Sequence, residues 1–558
     1  MVRIGVVKTA LYVAPLAHTF VDLCGSVARE PWMQSQHDAE GCTWQGRDLA
    51  LRMDLVTGPA AAVERLHQHY YNLVIVDCRH LPHHEADAEA QEACLSTFLD
   101  ALTAERDRER RYPLARVAVL VGDADEDRVD RLIFAMGERH VGACLRDLSL
   151  SPRLVGKHAA AARSRLIEQF WQFCHHALVA RRTGKKAISA AGGGISGIYY
   201  ELGVLKCLDD VLDVGARDFD MYLGISAGAV VLGGLANGVH IDEINANIGD
   251  IGGEWPYPLG LRWRHLNVGE LPKRLMLAQR DLGAYLVRML RRQADFSVSS
   301  IVGAYAAMLG PMFDNTEVER FLREVFTQPG RVNSFRSLTR ELYIGATDQD
   351  SREHVIFGTE GNDDVPISLA IQASAAAHPF FPSVLINGRY YTDGMVTRTS
   401  NLKAAIEYGA DLVFIIDPFV PLISEEAGFN ARHGNLWLIE QDYKTVAYTR
   451  FEQVSEEVLR ASPHVNAYTF VPSNRMRALM GQNPFAARNF HPIVCEAYLS
   501  TYRRLRQLEY KLRGDLLAHG MVLDFTVAQA RVQKLLEAPK ADARLLINEP
   551  QELEAAPA

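Results

Sequence analysis

Nowhere in the 558 residues does an apolar run reach the roughly eighteen uninterrupted positions that a membrane-spanning helix needs. Surplus positive charge is missing as well: 59 Lys plus Arg stand against 68 Asp plus Glu, a net charge of -9. That balance excludes a global pull toward nucleic acid or an anionic bilayer, so any lipid contact has to be local. The eight cysteines, Cys24, Cys42, Cys78, Cys94, Cys144, Cys174, Cys207 and Cys495, lack the close paired spacing of a structural zinc site or a redox motif. They read as buried free thiols in a reducing compartment, and neither a metal nor a cofactor is expected. The first twenty residues lack a signal-peptide core, because Pro15 and His18 interrupt the apolar patch that follows Arg3 and Lys8. They read as a first strand. The expectation is a cytoplasmic protein, at most peripheral to a membrane. No internal repeat is found.

What is present is 48% apolar residues, enough for a large core shared among several domains. The expected fold class is α/β throughout. Residues 1–150 alternate β-branched runs with helical stretches, the pattern of a doubly wound parallel sheet, with strands predicted at 4–7, 72–76, 116–121 and 141–145. The run from Val117 through Ala143 to Arg146 resembles the second half of a response-regulator receiver domain. That resemblance implies acidic residues after the first strand, a hydroxyl after the fourth and a lysine after the fifth. Those positions read Lys8-Thr9, Val121-Gly122 and Arg146, so the fold is implied without the phosphoryl chemistry, and Asp77 reads as a strand-end turn residue. The domain is left as a surface for a protein partner, a nucleotide-like ligand or self-association. Residues 151–185 read as a helical linker, 186–515 as a second α/β domain, and 516–558 as a helix and polar tail.

Chemistry concentrates in the second domain. Gly224-Ile225-Ser226-Ala227-Gly228, between an apolar strand and a helical run, has the form of a nucleophile elbow: flanking glycines permit a sharp turn that lifts the serine hydroxyl to a helix N-terminus. Upstream, a strand at 187–190 runs into Gly192-Gly193-Gly194-Ile195-Ser196-Gly197 and then a helix. Bare amides at such a terminus form an anion-binding nest. Gly192, Gly194 and Gly197 also fit the glycines of a dinucleotide loop. The acid that loop requires would sit on the next strand, which instead feeds Ser226, so an oxyanion hole explains both features together. The third motif is Thr392-Asp393-Gly394, after the loop Ala373-Ser374-Ala375-Ala376-Ala377-His378-Pro379-Phe380-Phe381-Pro382.

Along the chain, the glycine-rich loop, Gly-x-Ser-x-Gly, Ala-Ser followed by Phe-Phe-Pro, and Asp-Gly, in that order, resemble the patatin-like phospholipase family. The resemblance spans roughly 186–418 and is supported by Met312-Phe313-Asp314, Gly345-Ala346-Thr347-Asp348 and Ile416-Asp417-Pro418. It implies Ser226 as nucleophile, Asp393 as general base, the Gly193 and Gly194 amides as oxyanion donors, a lipid or membrane surface as substrate, and no metal in the chemical step. Two positions depart from the family pattern: Ser196 replaces a cation in the glycine loop, and Met395 replaces a small residue after Asp393-Gly394. A lipid-binding scaffold without turnover, and an acyltransferase or polyester hydrolase using the same pair, remain open alternatives. His378 is a candidate third member of a triad. His491 and His519, in helical surroundings, read as structural, and Asp348 and Asp417 as turn or capping residues. The stretch 261–312 mixes Arg262, Trp263, Arg264, Lys273, Arg274, Arg280, Arg288, Arg291 and Arg292 with bulky apolar residues, as a lid, a membrane-surface helix or an ordinary solvated face would.

Overall fold

A computed structural model describes residues 8–548, apart from 15–16, 38–40, 47–48, 81–84, 105–109, 123–125, 180–183, 253–270, 292–310, 312, 379, 399 and 482–488. The chain forms two compact units. One comprises residues 1–184, 456–468 and 505–523; the other comprises 185–455, 469–504 and 524–558.

In the first unit, seven strands form one sheet: β1 (Lys8–Ala14), β2 (Gln34–His37), β3 (Gly41–Gln45), β4 (Ala50–Thr57), β5 (Leu73–Cys78), β6 (Val117–Val121) and β7 (Ala143–Arg146). Their order is β2-β3-β4-β1-β5-β6-β7. The five from β4 to β7 are mutually parallel, and β2 and β3 add an antiparallel edge. Taken alone, the parallel strands run second, first, third, fourth, fifth in chain order, a doubly wound arrangement whose switch point lies between β1 and β5. Buried on both faces, β5 and β6 are near-continuous apolar runs, as a covered parallel sheet requires. Helices α1 (Ala17–Val27) and Lys157–Val179 cover one face through Phe20, Leu23, Ile167 and Phe170. The helix read as a connector thus contributes to this core.

The first strand is a correction to the sequence reading. Lys8 and Thr9 open β1 rather than follow it, because the apolar run continues to Ala14; the predicted strand at 4–7 lies outside the described residues. At the switch point, Asp77 is buried inside an ion pair. Tyr12 Oη donates to it at 2.5 Å, and Arg79 reaches it through Nε at 3.0 Å and Nη2 at 2.9 Å. Arg79 also donates to the Thr19 carbonyl at 2.8 Å and faces Asp147 at 3.4 Å. Burial works to raise the Asp77 pKa, but the Arg79 guanidinium outweighs it and holds the carboxyl below its usual range. The later segments of this unit are tied in by Arg116, which donates to Tyr70 Oη and Asn466 Oδ1 at 2.7 Å and to the Pro463 carbonyl at 2.8 Å, and by Tyr468, whose hydroxyl donates to Asp515 at 2.5 Å.

The second unit is built on a mixed sheet of β8 (Lys185–Ala190), β9 (Met221–Ile225), β10 (Glu341–Asp348), β11 (His354–Phe357), β12 (Val384–Ile386), β13 (Arg389–Asp393) and β14 (Ala410–Ile416), with β15 (Asn466–Phe470), of which only 469–470 fall in this unit, at its edge. The order is β12-β13-β10-β9-β8-β14-β15, with β11 also on β10. The centre, β14-β8-β9-β10, is parallel, whereas β13 and β11 run antiparallel to β10. This topology places the site. β10 pairs with β9 as far as Gly345 opposite Ile225, and from the next residue, Ala346 opposite Asp393, it pairs with β13. Two strands far apart in sequence therefore abut end to end against one partner. Among the described residues no helix is long and apolar enough to cross a membrane.

Candidate active site

Ser226 follows β9 directly and opens the buried helix Ala227–Ala236. Its backbone has φ 53° and ψ -114°, a left-handed conformation for a residue with a Cβ. Such a turn costs on the order of 1–3 kcal/mol and persists only where its surroundings enforce it. Here they do. The Ser226 amide donates to Ser374 Oγ at 2.8 Å, and that hydroxyl donates to the Gly345 carbonyl at 2.6 Å, so one side chain ties the turn to β10. Gly224 and Gly228 have to be glycine for close approach: a Cβ at Gly228 would collide with the Ala190 carbonyl, and one at Gly224 with the Ala229 backbone.

Asp393 ends β13 and is 5% exposed, beside a Ser226 that is 7% exposed. Its backbone is held on both sides, by its own amide donating to the Ala376 carbonyl at 3.2 Å and by Thr347 Oγ1 donating to its carbonyl at 3.0 Å. Burial pushes its carboxyl pKa up to about 6, against the Met395 amide at 2.9 Å and the Ser226 hydroxyl, both of which favour the charged form. The structure thus brings together Ser226 and Asp393, read from separate motifs. Met395 crowds the glycine loop rather than the carboxylate: its amide serves Asp393, while its side chain fills the space that a Cβ on Gly192 would occupy.

The glycine loop lies between β8 and the helix Gly194–Val211, beside the same turn. Gly228 donates to the Ala191 carbonyl at 3.1 Å, which fixes the loop against the elbow. Gly193 backs onto Pro418, and Gly194 takes φ +62°, where a side chain would be strained. Among the described residues, the amides of Gly192, Gly193 and Gly194 donate to no other backbone group, which leaves them available for an anion. Gly197 amide is committed to the Gly193 carbonyl at 3.0 Å, so it supports the loop without serving as a donor to substrate.

The histidines have other roles. His378 Nε2 and Nδ1 each lie 3.1 Å from a hydroxyl, those of Ser383 and Thr392. His491 Nδ1 accepts from the Ala543 amide at 3.0 Å, and His519 Nδ1 contacts the Asp515 carbonyl at 2.9 Å. Asp348 caps a turn through the Asp350 and Ser351 amides, both at 3.0 Å, and pairs with Arg389. Asp417 does the same for Phe419 at 2.9 Å, yet its other oxygen is buried without a partner, and burial lifts its pKa to about 7.

Two residues on the helix Asn435–Ala461 escaped the sequence reading. Arg450 donates to the carbonyls of Met395 at 3.0 Å and Val396 at 3.2 Å. Tyr443 has its phenol pKa raised to about 12, first by burial and then by the Asp393 charge. Neither belongs to a motif, so only the fold could place them. Of the basic stretch 261–312, the described part is mainly the helix Leu271–Leu290, which exposes Met276, Leu286, Val287 and Leu290; Arg262, Trp263, Arg264 and Arg292 and the side chains of Lys273 and Arg274 lie outside what is described.

Residues 188–406 match the model of a family described as patatin-like phospholipase. No curated protein sequence matches the chain significantly. Among solved structures it is similar to VipD from Legionella pneumophila, with 14% identity over 65% of this chain and 82% of that one and a TM-score of 0.24. It is also similar to the heterodimeric ExoU–SpcU complex from the type III secretion system of Pseudomonas aeruginosa, with 16% identity, 67% and 68% coverage and a TM-score of 0.19. Likenesses this distant carry no argument, and the family model speaks for residues 188–406. The matched stretch contains the glycine loop, the strained serine and the buried aspartate, so residues 188–406 form a patatin-like phospholipase domain.

Proposed function

We propose that the protein hydrolyses acyl esters of lipids with Ser226 as nucleophile and Asp393 as its general base, without a histidine. The observation that carries this reading is the meeting of β9 and β13 on β10, which sets a strained serine beside a buried carboxylate. A free aspartate near pKa 4 is a weak base toward a hydroxyl. Burial strengthens Asp393 to about 6, while leaving it ionised at neutral pH. Ser226 Oγ attacks the ester carbonyl as its proton passes to Asp393, and the amides of Gly193 and Gly194 hold the resulting oxyanion. Collapse expels the alcohol or lysolipid, which takes the proton. Water then attacks the acyl-serine, gives its proton to Asp393, and the fatty acid leaves as Ser226 is reprotonated.

The loop has no cation, since Ser196 stands where the family pattern places one; the helix N-termini and backbone amides carry the anion stabilisation instead. The apolar residues exposed on the helix Leu271–Leu290, set among Arg280, Arg288 and Arg291, support contact with a lipid surface despite the net negative charge.

The test is fatty-acid release from mixed phospholipid vesicles and from a short-chain aryl ester. Wild type is expected to release acid, and folded Ser226→Ala and Asp393→Asn to lose roughly a thousandfold or more of kcat. Variants that match wild type would remove the pair from the mechanism. A wild type inert on both substrates would favour a lipid-binding scaffold.

A further inference from the structure

Away from this site, the edge of the first unit gathers two sulfurs and an imidazole. Cys24 on α1, His37 on β2 and Cys42 on β3 place their Sγ, Nε2 and Sγ atoms all within 4.8 Å of one another. The register explains how. In the β2–β3 hairpin His37 lies opposite Cys42 and Ser35 opposite Trp44, so the four side chains share one face, and Cys24 comes to the same point from α1. Both sulfurs are fully buried, whereas His37 stands at the exposed rim. Cys42 Sγ is 3.8 Å from His37 Nε2, and Ser35 Oγ bridges the two at 3.2 Å and 3.1 Å.

We infer that Cys24, Cys42 and His37 form a binding site for a thiophilic d10 cation, with zinc as the ion that fits best. Two thiolates, a neutral imidazole and one solvent or Ser35 oxygen complete a tetrahedral set. The charge balance suits the place: a divalent cation with two thiolates is neutral, which a buried site tolerates and a pair of bare thiolates does not. Binding releases the two thiol protons to solvent and leaves the remaining proton of His37 on Nδ1. A second observation points the same way. The indole N–H of Trp44, fully buried and on the same face of β3 as Cys42, has no hydrogen-bond partner among the described residues. An orphaned buried donor costs about 1–3 kcal/mol. Metal-held thiolates are the acceptors that would satisfy it, as outer-shell donors commonly do for thiolate ligands. His37 at the rim gives the ion its entry path.

The experiment uses the full chain, reduced and stripped with chelator. Bound zinc is measured after desalting, affinity by competition with a chromophoric chelator, and geometry by the cobalt(II) spectrum. Wild type is expected to hold one zinc per chain and to show thiolate-to-cobalt charge transfer with tetrahedral d–d bands. His37→Ala, a change at an exposed position, is expected to weaken zinc by roughly tenfold or more. Cys24→Ser/Cys42→Ser is expected to abolish the charge-transfer band. Equal zinc in wild type and His37→Ala would overturn the site even if the double variant fails to fold. So would an octahedral cobalt spectrum, or isolation of Cys24 and Cys42 as a disulfide that reduction and zinc together do not convert to the bound form.

Discussion

Asp393 carries a cost in stability that the proposed mechanism would turn to use. Its folded pKa of about 6 exceeds the ordinary value of 3.8, so the folded state binds the proton more tightly than the unfolded one. Its contribution to stability is fully present below pH 3.8 and falls as pH rises through about 6, the reverse of a salt-bridged aspartate. Two outcomes are expected. Wild-type kcat/KM should fall as pH drops through about 6 in a pH–rate profile, because the protonated acid cannot accept the Ser226 proton. At pH 8, thermal or denaturant melts should find Asp393→Asn more stable than wild type by about 1–3 kcal/mol, since the amide retains an acceptor for the Met395 amide without a buried charge. A destabilised variant would contradict the buried-charge account. Residues of this kind were legible in the sequence because their requirements are local: a serine between glycines, an aspartate before one, consecutive glycines ahead of a helix. The perturbation of Asp393 was not legible, because burial is supplied by the whole sheet.

At the scale of the element, β10 does what neither motif can do alone. By changing partners after Gly345 it aligns the ends of β9 and β13, and Ser374 joins all three through the Ser226 amide and the Gly345 carbonyl. Ser374→Ala leaves that amide without its partner, at a cost of about 1–3 kcal/mol, and releases the strained turn. Steady-state kinetics should show kcat falling by roughly tenfold with KM little changed, and Ser374→Thr recovering part of the loss; a change confined to KM would mean that the hydroxyl serves binding. The sequence showed β8, β10 and β14 well because each is an apolar run. It hid β2 and β4. Gln34–His37 is polar throughout, and Ala50–Thr57 carries Arg52 and Asp54, which pair with each other at 3.0 Å on one face of the strand. Without the β2–β3 pairing, Cys24, His37 and Cys42 are merely distant residues.

Over the whole molecule, the two units carry different kinds of buried charge. In the first, Arg79 compensates both Asp77 and Asp147 where a doubly wound sheet ordinarily keeps its ligand crevice. Arg79→Ala should lower unfolding free energy by about 3–5 kcal/mol, measured by denaturant melts, because two carboxylates stay behind in the core. Incubation with a small acyl phosphate should place no phosphoryl group on Asp77, as peptide mass mapping would show; a phosphoryl adduct there would mean that the Arg79 pair does not withhold the carboxylate. The first unit also draws on residues 456–468 and 505–523, and its buried Arg116 has its acceptors at Pro463 and Asn466. During translation, then, the N-terminal sheet leaves the ribosome with a guanidinium that has Tyr70 to donate to while two of its three acceptors, Pro463 and Asn466, have not yet been made. It has to wait through the synthesis of the entire hydrolase segment. A premature stop anywhere before residue 505 therefore takes away part of the first unit as well as part of the second, so a truncation aimed at one of them reaches both.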